Sequence, residues 1–360
     1  MIEAGVLVVG AGAIGGVTTA KMEGGVRRVT VLDTNEEHVE KMRDPGLLLD
    51  DLGQERRVRL DAHSDPGDLE DPFDFALVTL KAPHLEAALG PLVERGLAQA
   101  FVSLGNGLVQ DRIASIVGRE NFLVGTVEWG ATNLGAGHLA RTTRAPFVIG
   151  EPDGETKDRT RLLADALETV ADVRITENIG GQVWSKLLVN SAFSGLGAVS
   201  GLLYREVVAD PAGKEAALAV WREGYDVGMA QGITLDKVLG VPAESLVVRG
   251  PEDRQKAGEA LEVAMGYAGA TKASMLQDLE RGAKTEVDVI NGGVIERSRA
   301  RRRNTFQRAG SRDHARDGAW RAATGTGRLR GTAGSRRLKH FSRSALQHFG
   351  FRSCEFWLTG

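Results

Sequence analysis

The chain has 360 residues, 42% hydrophobic and 26% charged, with a formal net charge of −3 at pH 7. That composition fits a soluble globular protein long enough for two domains with cores of their own; no apolar run approaches the roughly 20 residues of a membrane span, and no basic segment followed by a long apolar one marks a signal peptide. The single cysteine, Cys354, excludes an internal disulfide framework and a multi-cysteine zinc site, and the sequence reads as that of a cytoplasmic protein.

Residues 6–10 are a short valine-rich run, the pattern of a strand buried in a parallel sheet. The run leads into Gly10-Ala11-Gly12-Ala13-Ile14-Gly15, and a helical stretch over 16–23 follows. A second strand over 29–32 ends at Asp33. Further strand patterns occupy 75–80, 100–104 and 122–125, with helical patterns between several of them, and strands at 146–150 and 173–176 close the unit. Strands alternating with helices predict a parallel α/β sheet. After Asn178 strand signals nearly vanish, and helical patterns run over 181–200, 211–231, 235–239, 259–279 and from 285 to about 298. The expected organisation is an α/β dinucleotide-binding domain over 1–178 and an all-α domain over 179–298.

The glycine motif has the context that gives it meaning: a strand before, a helix after, and an acidic residue at the end of the next strand. Gly10 permits the tight turn, Gly12 lets backbone approach a pyrophosphate, and Gly15 allows close helix–strand packing. This is the pattern of a Rossmann fold. Asp33 stands where the ribose 2′-hydroxyl of NAD would lie, and a carboxylate there repels a 2′-phosphate. Asp33, Thr34 and Asn35 are equally able to cap a helix starting near Glu36, and the two roles are compatible.

In the helical half, Lys186, Asn190 and Ser194 are spaced four apart and form a polar row on one face, with Leu187, Leu188 and Phe193 around it. A lysine on such a face is either a general acid whose pKa desolvation lowers or a snorkelling surface residue; periodicity leaves both open. Farther on, Gly282 interrupts a helix and Thr285 with Asp288 resembles a capping pair that restarts it. Glu286 would then sit in the first turn, where the helix dipole favours a negative charge.

Taken together these segments resemble the 2-dehydropantoate 2-reductase (ketopantoate reductase) family over about residues 2–296. The resemblance is carried by the Gly10 loop, Thr79-Leu80-Lys81-Ala82, Asn106-Gly107-Leu108, Trp184-Ser185-Lys186-Leu187 with Asn190, Ser274-Met275-Leu276-Gln277-Asp278, and Thr285-Glu286-Val287-Asp288 with Asn291-Gly292. It implies a Rossmann domain followed by an all-α domain, an active site in the cleft between them, and NADPH- or NADH-dependent reduction of ketopantoate to pantoate on the way to pantothenate and coenzyme A. It implies Lys186 as the general acid and Glu286 as the residue that holds substrate and supports that lysine. Asn106, Asn190 and Ser274 match substrate-contacting positions, and Lys81 matches a lysine near the cofactor, which Asn106 also adjoins. The chain departs from the family at Ser194, which replaces a second asparagine of the substrate site, and at Asp33. Arg27 and Arg28 precede the strand, and Asp33 favours NADH over NADPH. The expected partner is a small 2-oxo acid, with neither nucleic acid nor membrane involved and a homodimer allowed. Other readings are a reductase of a different 2-oxo acid and a non-catalytic dinucleotide-binding protein.

Beyond residue 298 the composition changes. Residues 299–360 hold fourteen Arg and one Lys against three acidic residues, a net of +12, which leaves −15 for the rest of the chain. The family resemblance stops after Glu296. Read one base out of frame, a permissive choice of codons for 300–308 spells H-A-V-E-T-P-F-N-E, which resembles the missing family segment and suggests a frameshift near 298–300. The alternatives are a disordered basic tail and a nucleic-acid-binding arm, the latter without a recognisable aromatic–basic module. With no valine or isoleucine, the tail is expected to be extended and poor in contacts.

Overall fold

Every residue from Ala4 to Val9 in the first strand, β1 (Ile2–Val9), is buried. Ala4, Val6 and Val8 enter one apolar cluster, and Leu7 and Val9 enter another on the opposite face, as in a central parallel strand. The structure is a computed structural model and describes residues 1–309, with side chains to residue 300.

From β1 the chain forms α1 (Ala13–Met22), β2 (Val26–Leu32) and α2 (Glu36–Lys41), then β3 (Leu47–Asp51), β4 (Gln54–Val58), β5 (Asp61–His63) and β6 (Phe73–Val78). Next come α3 (Leu85–Glu94), β7 (Ala98–Ser103), α4 (Gln110–Val117), β8 (Phe122–Val127), the hairpin β9 (Ala131–Gly135) and β10 (His138–Arg141), β11 (Phe147–Gly150), α5 (Asp158–Glu168) and β12 (Val173–Ile175). The main sheet has the order β12-β11-β8-β7-β6-β1-β2-β5. Its strands from β5 to β8 are parallel, and β11 runs antiparallel to β8. The parallel part is a Rossmann sheet whose strand order reverses between β1 and β6, the crevice where such folds bind ligands.

All the strands expected from the sequence are present, their ends displaced by a few residues. A second sheet, β4-β3-β10-β9, is not foreshadowed. Its edge strand β4 is polar and largely exposed, so it carries no hydrophobic signature. The sheet covers α1, and the approach is so close that a Cβ on Gly16 would run into Leu139.

Asn178 caps the next helix, α6 (Ile179–Val189), accepting the Gly181 N–H at 3.1 Å. That helix continues through a π-helical turn at Asn190–Ser194 into α7 (Gly195–Ser200). The remaining helices are α8 (Tyr204–Ala209), α9 (Pro211–Met229), α10 (Asp253–Ala268), α11 (Ser274–Glu280) and α12 (Val287–Ala309). Glycines on α9 let α6 pack closely: a Cβ on Gly224 would lie 2.6 Å from Leu188, and one on Gly228 would meet the Trp184 indole. Trp184 Nε1 donates to the Gly224 carbonyl at 3.1 Å, which keeps the buried indole satisfied.

Three expectations are corrected. Residues 235–239 are not helical: Lys237–Val238 pairs with Val241–Pro242, and Leu239 and Gly240 at positive φ make the turn. A five-residue pattern is too short to nucleate a helix. The helix expected over 259–279 is two, α10 and α11, separated after Gly269. Residues 299–309 are helical rather than extended, since Arg and Ala extend an already nucleated helix readily. The expectation for 310–360 lies outside the described residues.

Candidate active site

The glycine loop joins β1 to α1 at the crevice. Gly10 has φ +95°, and a Cβ there would sit 2.7 Å from Leu80 Cδ2. A Cβ on Gly15 would run into the Gly10 carbonyl and lie 2.5 Å from Thr79 Oγ1. Thr79 reinforces the turn by donating to the Gly10 carbonyl at 2.6 Å. Gly12 differs from both: it is exposed, its φ is −58°, and its Cβ position has nothing within 4 Å. Gly10 and Gly15 are therefore demanded by the backbone, whereas Gly12 leaves room in front of the α1 N-terminus. Ala13 and Ile14 form the first turn there, where helical N–H groups lack intrahelical acceptors. This open cradle of donors fits a dinucleotide pyrophosphate.

Asp33 comes directly after β2. Its Oδ2 accepts the Ala11 N–H at 2.6 Å and its Oδ1 accepts the Asn35 N–H at 2.9 Å. The α2 cap is Asn35, whose side chain accepts the His38 N–H at 3.1 Å. Asp33 thus braces the glycine loop. Arg27 pairs with Asp74 at 2.9 Å, and Arg28 lies 3.9 Å over the Phe73 ring. Both are at the opposite end of β2 from Asp33, and Glu36 and Glu37 are the charges next along the chain.

Lys186, partly buried on α6, donates from Nζ to the Val127 carbonyl at 2.8 Å, at the carboxyl end of β8. Burial of the ammonium pulls its pKa down to about 8, against the opposing pull of Glu286 and Glu128. Glu286 immediately precedes α12, and its carbonyl accepts the N–H groups of Val289 and Ile290. It is the cap position rather than the first turn, and its carboxylate Oε2 accepts Asn106 Nδ2 at 3.0 Å. Asn106 lies on the loop after β7, where the Leu108 N–H donates to the Val289 carbonyl at 3.0 Å. Between them Gly107 has φ +73°, and a Cβ there would stand 2.5 Å from the Val289 oxygen. Only glycine lets the loop lie this close to α12.

Lys81 also reaches the helical half, donating to Asp278 Oδ2 at 2.9 Å and to the Lys284 carbonyl at 2.8 Å. Arg281 holds the other Asp278 oxygen at 3.1 Å.

The polar row on α6 does not survive intact. The π-helical turn adds a residue and rotates the helix beyond it, so Asn190 stays partly buried at its start while Ser194 is only 1% exposed at its end. Ser194 lies beside the Tyr204 hydroxyl, whose pKa burial pushes up to about 12. Ser274 is exposed at the start of α11. The structure therefore brings Lys186, Glu286 and Asn106 together, puts Lys81 with Asp278, and turns Ser194 into the helical core. The sequence assigns no role to Glu128 or His38, lone residues that no periodic or spacing signal singles out, nor to Asp278, although it closes one of the family-like motifs. Among the described residues no group of three or more His, Cys, Asp or Glu is arranged to hold a metal, and no helix is long and apolar enough to cross a membrane.

Residues 6–154 match the family model "Ketopantoate reductase PanE/ApbA" and residues 178–305 match the model of its C-terminal part. The second match runs past Glu296, where the motif resemblance ended. A 2-dehydropantoate 2-reductase of Halobacterium salinarum is 29% identical over 297 residues, covering 82% of this chain and 92% of the relative. One from Mesorhizobium japonicum is 28% identical over 320 residues, covering 82% and 91%. Among solved structures, the fold is shared with a D-mandelate dehydrogenase bound to NADH and anilino(oxo)acetate, at TM-score 0.69, 22% identity and coverage of 85% and 93%. It is shared too with a PanE/ApbA family ketopantoate reductase from Ralstonia eutropha, at TM-score 0.68, 23% identity and coverage of 82% and 92%. With both halves of the chain matched, the protein belongs to the ketopantoate reductase family of NAD(P)H-dependent oxidoreductases that act on CH–OH groups.

Proposed function

We propose that the protein reduces 2-dehydropantoate to pantoate and uses NADH in preference to NADPH. The observation that carries this reading is the convergence of Lys186, Glu286 and Asn106 at the carboxyl ends of β7 and β8, in the same crevice as the Gly10–Gly15 cradle. A nicotinamide cofactor, when bound, supplies the hydride. Lys186 supplies the proton: a partly desolvated ammonium stabilises negative charge on the substrate oxygen and then neutralises it. Val127 accepts one of its N–H groups, which leaves two for the substrate. Glu286, oriented by Asn106, keeps Lys186 charged and accepts a hydrogen bond from a substrate hydroxyl. Asn190 and Ser274 are the further substrate contacts of this reading, and Lys81 borders the cofactor. The NADH preference is supported by the Asp33 carboxylate, which Glu36 and Glu37 follow along the chain and which, among the described residues, forms no ion pair.

Ser194 supports a second reading. Its burial beside Tyr204 removes one polar contact from the substrate face, which favours a smaller or less hydroxylated 2-oxo acid. One experiment decides between the two. Oxidation of NADH and NADPH is followed with ketopantoate and a panel of 2-oxo acids lacking its hydroxyl; ketopantoate with NADH is expected to have the highest kcat/KM. Turnover of another acid at higher kcat/KM would replace the substrate, and a strong NADPH preference would overturn the cofactor assignment.

A further inference from the structure

His38 is 3% exposed, and both of its ring nitrogens are engaged by backbone groups from distant parts of the chain. Nδ1 stands 2.7 Å from the Gly137 nitrogen, and Nε2 stands 2.8 Å from the Ala11 oxygen. The Gly137 N–H is a donor only, so Nδ1 must be the acceptor; the Ala11 carbonyl is an acceptor only, so Nε2 must carry the hydrogen. The two contacts select one neutral tautomer. Gly137 is itself fixed: it lies at the β9–β10 turn with φ +72°, and its carbonyl accepts the Leu48 N–H at 2.9 Å.

The carbonyl that His38 holds belongs to the Ala11–Gly12 peptide. In a trans peptide the C=O and the N–H point in opposite directions. Pinning the Ala11 oxygen inward on buried His38 therefore turns the N–H of exposed Gly12 the opposite way, outward from the His38 side of the peptide. Asp33 pins the preceding Ala11 N–H in the same way. Among the described residues the Gly12 N–H has no acceptor. We propose that His38 is a positioning residue for the cofactor: it braces the Ala11–Gly12 peptide against the β9–β10 hairpin so that the Gly12 N–H is preset to receive a dinucleotide phosphate. The inference rests on the dinucleotide-binding reading above and deepens it.

The test separates the two nitrogens. An Asn amide reaches about as far as Nδ1 and a Gln amide about as far as Nε2, so His38→Asn keeps an acceptor for Gly137 but loses the donor to Ala11, whereas His38→Gln keeps that donor. NADH affinity is measured by calorimetry on the full-length protein, with thermal unfolding of each variant in parallel. His38→Asn is expected to raise the NADH Kd by about tenfold, the equivalent of one lost hydrogen bond. His38→Gln should stay within about threefold of the parent, although both variants lose thermal stability. Equal loss of affinity in the two variants, or an unchanged Kd in His38→Asn, would overturn the positioning role while leaving the functional reading intact. A parent protein that binds neither NADH nor NADPH would overturn the functional reading and this inference with it.

Discussion

Asn106 and Glu286 are 180 residues apart in the sequence and meet at 3.0 Å, amide Nδ2 to carboxylate Oε2. One sits on the loop after β7 and the other at the head of α12, so this hydrogen bond joins the Rossmann and helical parts of the crevice, as do those of Lys81, Lys186 and Leu108. It also aims the carboxylate that opposes the loss of charge on Lys186. Asn106→Ala should release that carboxylate and lower kcat/KM by about 10- to 100-fold, since a hydrogen bond to a charged group contributes roughly 1.5–3 kcal/mol. Steady-state kinetics check this, and unchanged kcat/KM would remove Asn106 from the site.

Lys186 sets the pH dependence. Its pKa in the folded protein is about 8, below the ordinary 10.5, because burial disfavours the ammonium. Reduction needs the protonated form, so its kcat/KM should fall as pH rises through about 8, and that of the reverse oxidation should rise over the same range. For stability the sign is opposite to that of a stabilising ion pair. The burial penalty is full below pH 8 and is relieved as pH rises toward 10.5. A flat rate profile from about pH 6.5 to about 9.5 would exclude Lys186 as the proton donor.

Lys186→Met should lower kcat by about 100- to 10,000-fold, the usual contribution of a positioned general acid. At neutral pH it should not lower the melting temperature, because it removes a partly desolvated charge. Loss of activity with an equal loss of folded protein would mark the residue as structural.

The loop glycines should separate. Gly15→Ala places a methyl against the Gly10 carbonyl and is expected to destabilise the protein by about 1–3 kcal/mol. Gly12→Ala puts its methyl into open space, so it should melt like the parent while binding NADH more weakly. Paired thermal and binding measurements check both, and equal melting of the two variants would contradict the loop geometry.

Asp278 ties Lys81 and Arg281 across the crevice, with an 8% exposed side chain. Asp278→Ala leaves two cations unpaired on facing elements. Stability should fall by about 1–3 kcal/mol, and KM should rise more than kcat falls. A change confined to kcat would place Asp278 in the chemical step instead.

The Rossmann half was legible in the residues because its signals are local. A fully apolar strand, a glycine spacing and an acid after the next strand are each set within a few residues of one another. Lys186 and Glu286 came with motifs of the same short range. The features that only the tertiary structure decided depend on groups far apart in the chain or on small rotations. A polar strand such as β4 pairs for its backbone bonds, which no side-chain pattern announces. The π-helical turn rotates Ser194 off the face that fourfold spacing assigns it, since that spacing assumes a regular helix. The pairings of Asn106 with Glu286, Lys81 with Asp278 and His38 with Ala11 and Gly137 arise because folding closes one domain on the other and a hairpin on the glycine loop. Hydrogen bonds of that kind require positions matched to a few tenths of an ångström, which sequence periodicity does not specify.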